Sequence, residues 1–163
     1  MATRAKITAS RTASGVVIRM GGAGTIGESP VVHAFAEEVL RDPGQRVIVD
    51  LTACTYMDST FLGGLIGLFK RHGADGRFAL HAPEPLRKEL FGASRLDTVL
   101  PFVDEVPPSH GESQLEAQPM ASREELAHYV VECHRRLAEM GGPEAVEFSR
   151  VADAIAAEIE SKR

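Results

Sequence analysis

The sequence predicts an α/β fold, with a small and mostly parallel sheet of about four or five strands, helices packed on that sheet, and a C-terminal helical hairpin. Three observations lead to this expectation. Apolar runs of strand length alternate with helical segments over residues 6–104, as in parallel sheets. A segment rich in Pro, Gly and Ser follows. Residues 122–163 then repeat apolar positions at helical spacing.

The first third of the chain predicts three strands and one helix. Residues 7–11 and 15–20 are the first two strands, and the second is expected to be buried because of its β-branched run. Ser29 and Pro30 predict a helix start, with Ser29 as the cap and Pro30 at the first helical position. Residues 46–51 are apolar and predict a central strand.

A second helix is predicted to begin at Asp58-Ser59-Thr60 and to run to about His72. Residues 78–81 are the next predicted strand, and residues 83–92 form a further helix. Residues 96–103 predict a short turn and a last edge strand. These elements make a single-sheet domain over residues 1–106.

The remainder divides into a predicted linker, residues 107–121, and a helical hairpin, residues 122–163. Ser122 and Glu125 have capping-box spacing. One apolar stripe then comprises Leu126, Tyr129, Val130, Cys133, Leu137 and Met140. We expect this stripe to pack against the second hairpin helix, which carries Val151, Ile155 and Ile159, and then against the α/β domain or another chain. A homodimer through residues 122–163 therefore stays open.

Composition excludes several classes of partner. The net charge is −5, and the 18 Lys and Arg residues are scattered, so neither nucleic acid nor an anionic membrane surface is an expected ligand. Cys54 and Cys133 lie in apolar stretches without a CxxC partner, which favours buried reduced thiols. The N-terminal residues lack an apolar signal-peptide core. A cytoplasmic location is expected.

Gly22–Gly27 reads G-x-G-x-x-G, and Asp50 follows at the end of the next strand. This pattern is typical of a dinucleotide-binding site. In such a site the helix begins inside the glycine motif. Pro30 would then lie in the helix interior, at a cost of about 3 kcal/mol. The glycines are therefore expected to form a loose loop, and nucleotide binding is kept only as an alternative.

The segment VIVDLTACTYMDSTFLGGLIG, residues 47–67, resembles the core of STAS domains, the domains of anti-sigma factor antagonists. The resemblance extends over residues 6–104. It implies a regulatory binding protein that is not an enzyme and needs no cofactor. Its implied partners are a serine kinase that is also an anti-sigma factor, and a serine phosphatase.

The resemblance also implies the site. The phosphorylated serine would be Ser59, with Thr60 as the alternative acceptor. The implied partner-binding residues are Gly24, Thr25, Ile26, Asp58, Ser59, Thr60, Phe61, Gly63 and Gly64. The family usually has Gly where this chain has Phe61, and a bulky ring there would change which kinase fits or block phosphorylation.

The residues themselves give Ser59 two roles. A serine at a helix start caps free backbone N–H groups. Its hydroxyl also lies at the positive end of the helix dipole, where a phosphoryl group beside Asp58 would be tolerated while the local surface charge changes. Gly63 and Gly64 fit either close packing of the helix on the sheet or a smooth face for a partner.

Two other interpretations remain. A STAS scaffold without phosphorylation, docked on a transporter or a sensor assembly, would account for Phe61 and the unusual tail. Glu124, His128 and Glu132 share a helical face, which is more often a solvated set than a metal site. His128 and His134 suggest phosphotransfer without further support, and no His is near Ser59 in sequence to act as a base.

Overall fold

The computed structural model describes residues 5–116 and 122–162. The ends of the predicted first domain and hairpin, residues 1–4 and 163, and the end of the predicted linker, residues 117–121, lie outside the described residues. The strands are β1 (Lys6–Arg11), β2 (Gly15–Gly24), β3 (Arg46–Asp50), β4 (Cys54–Met57), β5 (Phe78–His81) and β6 (His110–Leu115). The helices are α1 (Ser29–Leu40), α2 (Ser59–His72), α3 (Glu84–Phe91), α4 (Arg123–Glu139) and α5 (Ala145–Ser161).

The predicted α/β fold class is confirmed, and the sheet has six strands of mixed direction. Its order is β5-β3-β2-β1-β6, and β4 pairs with β2 outside that path. Pairs β2–β3, β3–β5 and β2–β4 are parallel, whereas β1 pairs antiparallel with β2 and β6. Parallel pairs dominate where helices connect the strands, because a parallel return needs a crossover connection.

The main core lies between the sheet and helices α1 and α2. Val47 and Val49 of β3 are fully buried on this side, as is Ile66 of α2. A second small cluster on the opposite face contains Val17, Ile48 and Ala79. Strands that are buried on both faces read as continuous apolar runs, which is why residues 46–51 were recognisable in the sequence.

The glycine-rich end of β2 corrects one expectation. Residues 22–24 are not a loose loop, because they continue β2 and pair with β4. The pairing register shifts between Gly22 and Ala23, and Gly22 has φ of 83°. A bulge with a glycine at positive φ lets a strand bend and change partners. Here β2 leaves β3 and pairs with β4, a strand the sequence analysis missed.

Two C-terminal expectations are also corrected. The segment predicted as a linker contains β6, whose exposed residues add an edge strand to β1. Residues 96–103 form a single 3-10 turn at Leu96–Thr98 and one bridge between Leu80 and Phe102, rather than an edge strand. Main-chain pairing stabilises β6, and polar side chains on an exposed strand give no periodic signal.

The helical hairpin forms as expected. Ser122 caps α4 by accepting from the backbone N–H of Glu125 at 3.0 Å, and the chain turns at Gly141 and Gly142, both with positive φ. The apolar stripe of α4 packs against α5 and also against α2. Cys133 and Leu137 on this stripe are almost completely buried. The hairpin thus lies on the α/β domain of the same chain.

Candidate functional site

The N-terminus of α2 is built around the carboxylate of Asp58. Its Oδ1 accepts from the backbone N–H of Phe61 at 2.8 Å, which makes Asp58 the N-cap of α2. Its Oδ2 accepts from the backbone N–H of Ile26 at 2.8 Å. One carboxylate therefore fixes both the start of α2 and the loop between β2 and α1, because charge-assisted hydrogen bonds are comparatively strong.

Ser59 does not cap the helix, which corrects the role expected from its residue type. It is the first helical residue, and Asp58 has the capping position instead. Its hydroxyl oxygen lies 3.1 Å from Nε2 of His134 on α4. The side chain of Ser59 is half-buried, whereas its neighbour Thr60 is buried at 5% exposure. A serine that is not needed as a cap is free for another role.

The hydrogen bonds of His134 define its tautomer. Its Nδ1 lies 2.8 Å from the carbonyl oxygen of Val130, which can only accept, so Nδ1 carries the hydrogen. Nε2 of the neutral ring then accepts from the hydroxyl of Ser59. A histidine therefore does lie beside Ser59, although 75 positions separate the two residues in the sequence.

This Ser–His pair has the geometry of a nucleophile and base. It lies under α4, however, and His134 is only 6% exposed. Four cavities of the described residues lie elsewhere, at the sheet edges and between α4 and α5. In this structure the Ser–His pair is a contact between α2 and α4.

The nine predicted partner-binding residues fall into two groups. Four of them are at least partly accessible: the loop residues Thr25 and Ile26, the cap residue Asp58 and the first helical residue Ser59. The other five are buried: Gly24, Thr60, Phe61, Gly63 and Gly64. The ring of Phe61 is 1% exposed and lies against Gly24, where an added Cβ would approach the ring at 3.1 Å. Phe61 therefore presents no bulky ring to a kinase.

The glycines of α2 face α4, and Gly64 also faces Ser29 of α1, so the expectation of packing on the sheet does not describe them. An added Cβ at Gly63 would lie 2.5 Å from both Cβ and the backbone oxygen of Cys133. At Gly64 it would meet the hydroxyl of Tyr129 at 2.9 Å, and at Gly67 the guanidinium of Arg136 at 2.5 Å. Together with Ser59, one turn before Gly63, these glycines form a surface that we call the Ser59 face.

A chain of hydroxyl groups crosses the contact between α1, α2 and α4. Ser29 is buried and does not cap α1, contrary to expectation; Glu28 is at that position without a side-chain cap. The hydroxyl of Ser29 donates to the carbonyl of Thr60 at 3.2 Å. The hydroxyl of Tyr129, 2.7 Å away, then donates to Ser29. Because Ser29 is buried and its hydroxyl is used in this network, it does not serve as the helix cap that its residue type predicts.

The two thiols lie in different parts of the molecule. Cys54 and Cys133 are both free and buried, as expected from their apolar neighbours. Burial raises the pKa of Cys133 to about 11 at the contact of α4 with α2. Burial also raises the pKa of Cys54, at the start of β4. A thiol held protonated is a poor nucleophile, so neither is reactive while its surroundings stay closed.

The former dinucleotide candidates have other structural roles. Helix α1 begins at Ser29, beyond the glycine motif, and Pro30 is its second residue, one position later than expected. Oδ1 of Asp50 accepts from the backbone N–H and the hydroxyl of Thr52 at 3.0 and 2.6 Å. The backbone N–H groups that would hold a pyrophosphate are therefore not presented by a helix starting within Gly22–Gly27.

The remaining polar candidates pair with neighbouring side chains on α4. His128 lies 3.7 Å from Glu124, with both side chains more than half exposed. Glu132 pairs with Arg136 at 3.2 Å. Across residues 5–116 and 122–162, no group of three or more His, Cys, Asp or Glu side chains is arranged to hold a metal ion. In the same part of the chain, no helix has the length and apolar character needed to cross a bilayer.

Three residues whose contacts with the Ser59 face were missed in the sequence lie on α4. His134, Tyr129 and Arg136 reach the Ser59 face, although Tyr129 was recognised only as part of an apolar stripe. The available signal was that stripe itself, since its smallest member, Cys133, matches the glycine Gly63 on the partner helix. Small residues on both helices allow a close approach of their backbones.

Comparison with known proteins identifies the family of this chain. The sequence matches the family model described as "Mlab, STAS domain" over residues 7–103, which is more than half of the chain. Among curated proteins, none matches. One similar solved structure is described as "Structure of the Anti-Sigma Factor Antagonist SpoIIAA in its Unphosphorylated Form". It has 21% identity and a TM-score of 0.46, covering 59% of this chain and 84% of that one.

Proposed function

The chain belongs to the STAS domain family, and from this premise we propose that it is a regulatory binding protein switched by phosphorylation of Ser59. The unphosphorylated form binds a serine kinase that also acts as an anti-sigma factor. Phosphorylation by that kinase releases the complex, and a serine phosphatase restores binding. In this proposal the chain is a substrate and a binding partner, and it carries no active site of its own.

The position of Ser59 at the first turn of α2 is the observation that carries the proposal. Asp58 provides the cap, so the hydroxyl of Ser59 can be modified without loss of the hydrogen bonds that start the helix. A phosphoryl group adds about −1.5 to −2 charge at neutral pH, and the positive end of the helix dipole favours it. The fold would tolerate the modification while the surface next to Asp58 becomes more negative.

An exposed apolar pair supports a binding surface at this end of the molecule. Ile26 is 39% exposed in the loop that Asp58 holds, and Tyr56, two residues before Asp58, is 58% exposed on β4. The two chain segments are joined, because the backbone N–H of Asp58 donates to Gly24 at 2.9 Å. Amphipathic aromatic side chains such as Tyr are enriched in protein interfaces.

Burial favours Ser59 over Thr60 as the acceptor. The side chain of Thr60 is 5% exposed, and its carbonyl accepts from the buried Ser29. A kinase must surround the acceptor hydroxyl, so modification of Thr60 would require opening the core contact between α1 and α2. Ser59 needs only the separation of His134 from its hydroxyl.

Partner recovery from the native cell tests this function. Tagged Ser59→Ala should recover the kinase as well as the unmodified protein does, whereas Ser59→Asp should recover at least about tenfold less, because its carboxylate beside Asp58 must be desolvated or repelled at the interface. Thr98→Asp adds the same charge at an exposed threonine and serves as the matched control. Equal recovery by Ser59→Asp and Thr98→Asp would contradict the switch.

The contact between Ser59 and His134 favours one second candidate, a STAS scaffold that is never phosphorylated. In that case α4 covers Ser59 permanently, and the exposed pair Ile26 and Tyr56 docks the chain on a transporter or sensor assembly. In the same recovery experiment, the scaffold predicts a membrane ATPase instead of a serine kinase. It also predicts that Ser59→Asp leaves the recovered amount unchanged.

A further inference from the structure

The Ser59 face, formed by Ser59, Gly63, Gly64 and Gly67 of α2, is covered by a helix of the same chain. Three independent contacts define this cover. Ser59 meets His134, the Cβ position of Gly63 meets Cys133, and that of Gly67 meets Arg136. Four-residue steps place Ser59, Gly63 and Gly67 along one line of α2. The surface is thus shaped for a closely approaching α-helix.

We propose that the Ser59 face is a docking surface for an α-helix, that α4 is its intramolecular occupant, and that α4 must separate from α2 before another protein can reach Ser59. The consequence of this separation for partner binding and phosphorylation rests on the proposed function. The hairpin would then set the fraction of molecules able to bind or to be phosphorylated, since a protein with a minor competent state binds in proportion to its population.

The limited space around the Ser59 hydroxyl supports the need for α4 to separate from α2. The Ser59 hydroxyl oxygen lies 3.1 Å from Nε2 of His134, so the added phosphoryl oxygens would overlap the imidazole ring. In this rotamer of Ser59, the closed arrangement therefore leaves no room for a phosphoryl group on the side of His134.

The contact also contains groups that a permanent interface would rarely leave unsatisfied. Among the described residues, four buried side-chain atoms lack a hydrogen-bond partner. Two of them are Nη1 of Arg136, which belongs to α4, and Nε2 of His33, whose ring contacts Tyr129 of α4. Buried polar atoms without partners weaken an interface. The apolar contribution of Leu137 and Cys133 opposes this weakness. Such a mixed interface can open without unfolding the sheet.

Two native thiols report on this opening. Cys133 becomes accessible when α4 separates from α2, whereas Cys54 lies in the core cluster with the sheet and reports on its disruption. A third reporter, Ser59→Cys, reads the site itself. The full-length chain is exposed to a maleimide carrying a bulky polyethylene glycol group, and each labelled cysteine is located by peptide mass spectrometry.

Two alanine substitutions provide a matched pair. In Gly63→Ala the new methyl group collides with the backbone of α4 at Cys133, which cannot yield locally. In Gly67→Ala it meets only the guanidinium end of Arg136, a flexible side chain. Both changes remove one glycine from the same helix and so gain similar helix propensity. The difference between them isolates the separation of α4.

We expect Gly63→Ala to accelerate labelling of Cys133 by about tenfold or more. It should accelerate labelling of Ser59→Cys by the same factor and leave Cys54 unchanged. Gly67→Ala should change all three rates by less than about threefold. Tyr129→Phe, which loses the hydroxyl contacts with Ser29 and Cys133, should give a smaller acceleration of the same two sites and replaces Gly63→Ala should that variant fail to fold.

Two results would overturn the inference. If Cys133 is labelled no faster than Cys54 in every variant, the hairpin opens only when the whole domain unfolds. If Ser59→Cys is labelled at a rate that Gly63→Ala does not change, Ser59 is already accessible with α4 in place. The assay contains no kinase, so its failure is distinct from failure of the proposed function, which partner recovery decides.

Discussion

Replacing Asp58 by alanine removes two hydrogen bonds that join separate parts of the site. The lost bond to Phe61 is an N-cap, whose removal costs about 0.5–2 kcal/mol. The lost bond to Ile26 is exposed and contributes about 0.5–1.5 kcal/mol. We therefore expect Asp58→Ala to lower the free energy of unfolding by about 1–3 kcal/mol, or roughly 3–10 °C in Tm.

Asparagine separates the two contributions. Asp58→Asn caps α2 as well as aspartate does, but its amide nitrogen cannot accept from the backbone N–H of Ile26. Asp58→Asn should therefore lower the free energy of unfolding by about half as much as Asp58→Ala does. Asp153→Ala removes the same charge from an exposed ion pair with Arg135 and should change stability by less than about 0.5 kcal/mol.

Urea unfolding followed by far-UV circular dichroism measures these changes, since the chain contains no Trp for fluorescence. The expected order of stability is wild type, then Asp58→Asn, then Asp58→Ala. If both variants lie within about 0.3 kcal/mol of wild type, or of one another, the carboxylate does not hold the loop and the helix together, and the description of the site is wrong.

Three further predictions follow from burial and from the glycine motif. Leu137→Ala should cost about 2–5 kcal/mol in urea unfolding because Leu137 is 2% exposed, whereas Val146→Ala, at 70% exposure, should cost less than about 0.5. Burial lowers the pKa of His33 below 6.5 in the folded protein. As the pH falls, His33 therefore becomes protonated in the unfolded chain before it does in the folded one. Stability should therefore fall as pH drops below that value, and less so in His33→Gln; equal acid sensitivity of both proteins would contradict this. Calorimetry with NAD should detect no binding tighter than about 10 μM at Gly22–Gly27.

Local patterns in the sequence predicted most of the α/β domain correctly. The buried strand β3 has an uninterrupted apolar run, and α2 begins at Asp58-Ser59-Thr60 and ends at His72 as expected. Burial of Cys133 and Leu137 followed from the stripe on α4. These features depend on side-chain periodicity and on capping chemistry within one element, which a sequence displays directly.

Features that depend on distant partners were not predictable in this way. Strand β6 is stabilised by main-chain pairing with β1, which leaves no trace in its polar sequence. The contact of Ser59 with His134 arises because α4 folds back on α2. Ser29 has the residue type of a helix cap, but burial against Thr60 and Tyr129 gives it a different role. Tertiary contacts decide such positions.

The phosphorylation state of Ser59 in the native cell tests the proposed switch most directly. Trypsin cleavage after Arg46 and Lys70 releases a peptide that holds Ser59 together with Thr60 and two other threonines. Fragmentation of this peptide by mass spectrometry therefore has to locate the phosphate. We expect phosphate on Ser59 in the partner-free protein and its absence from the partner-bound protein. Phosphate on Thr60 instead, or equal occupancy of Ser59 in both fractions, would contradict the switch.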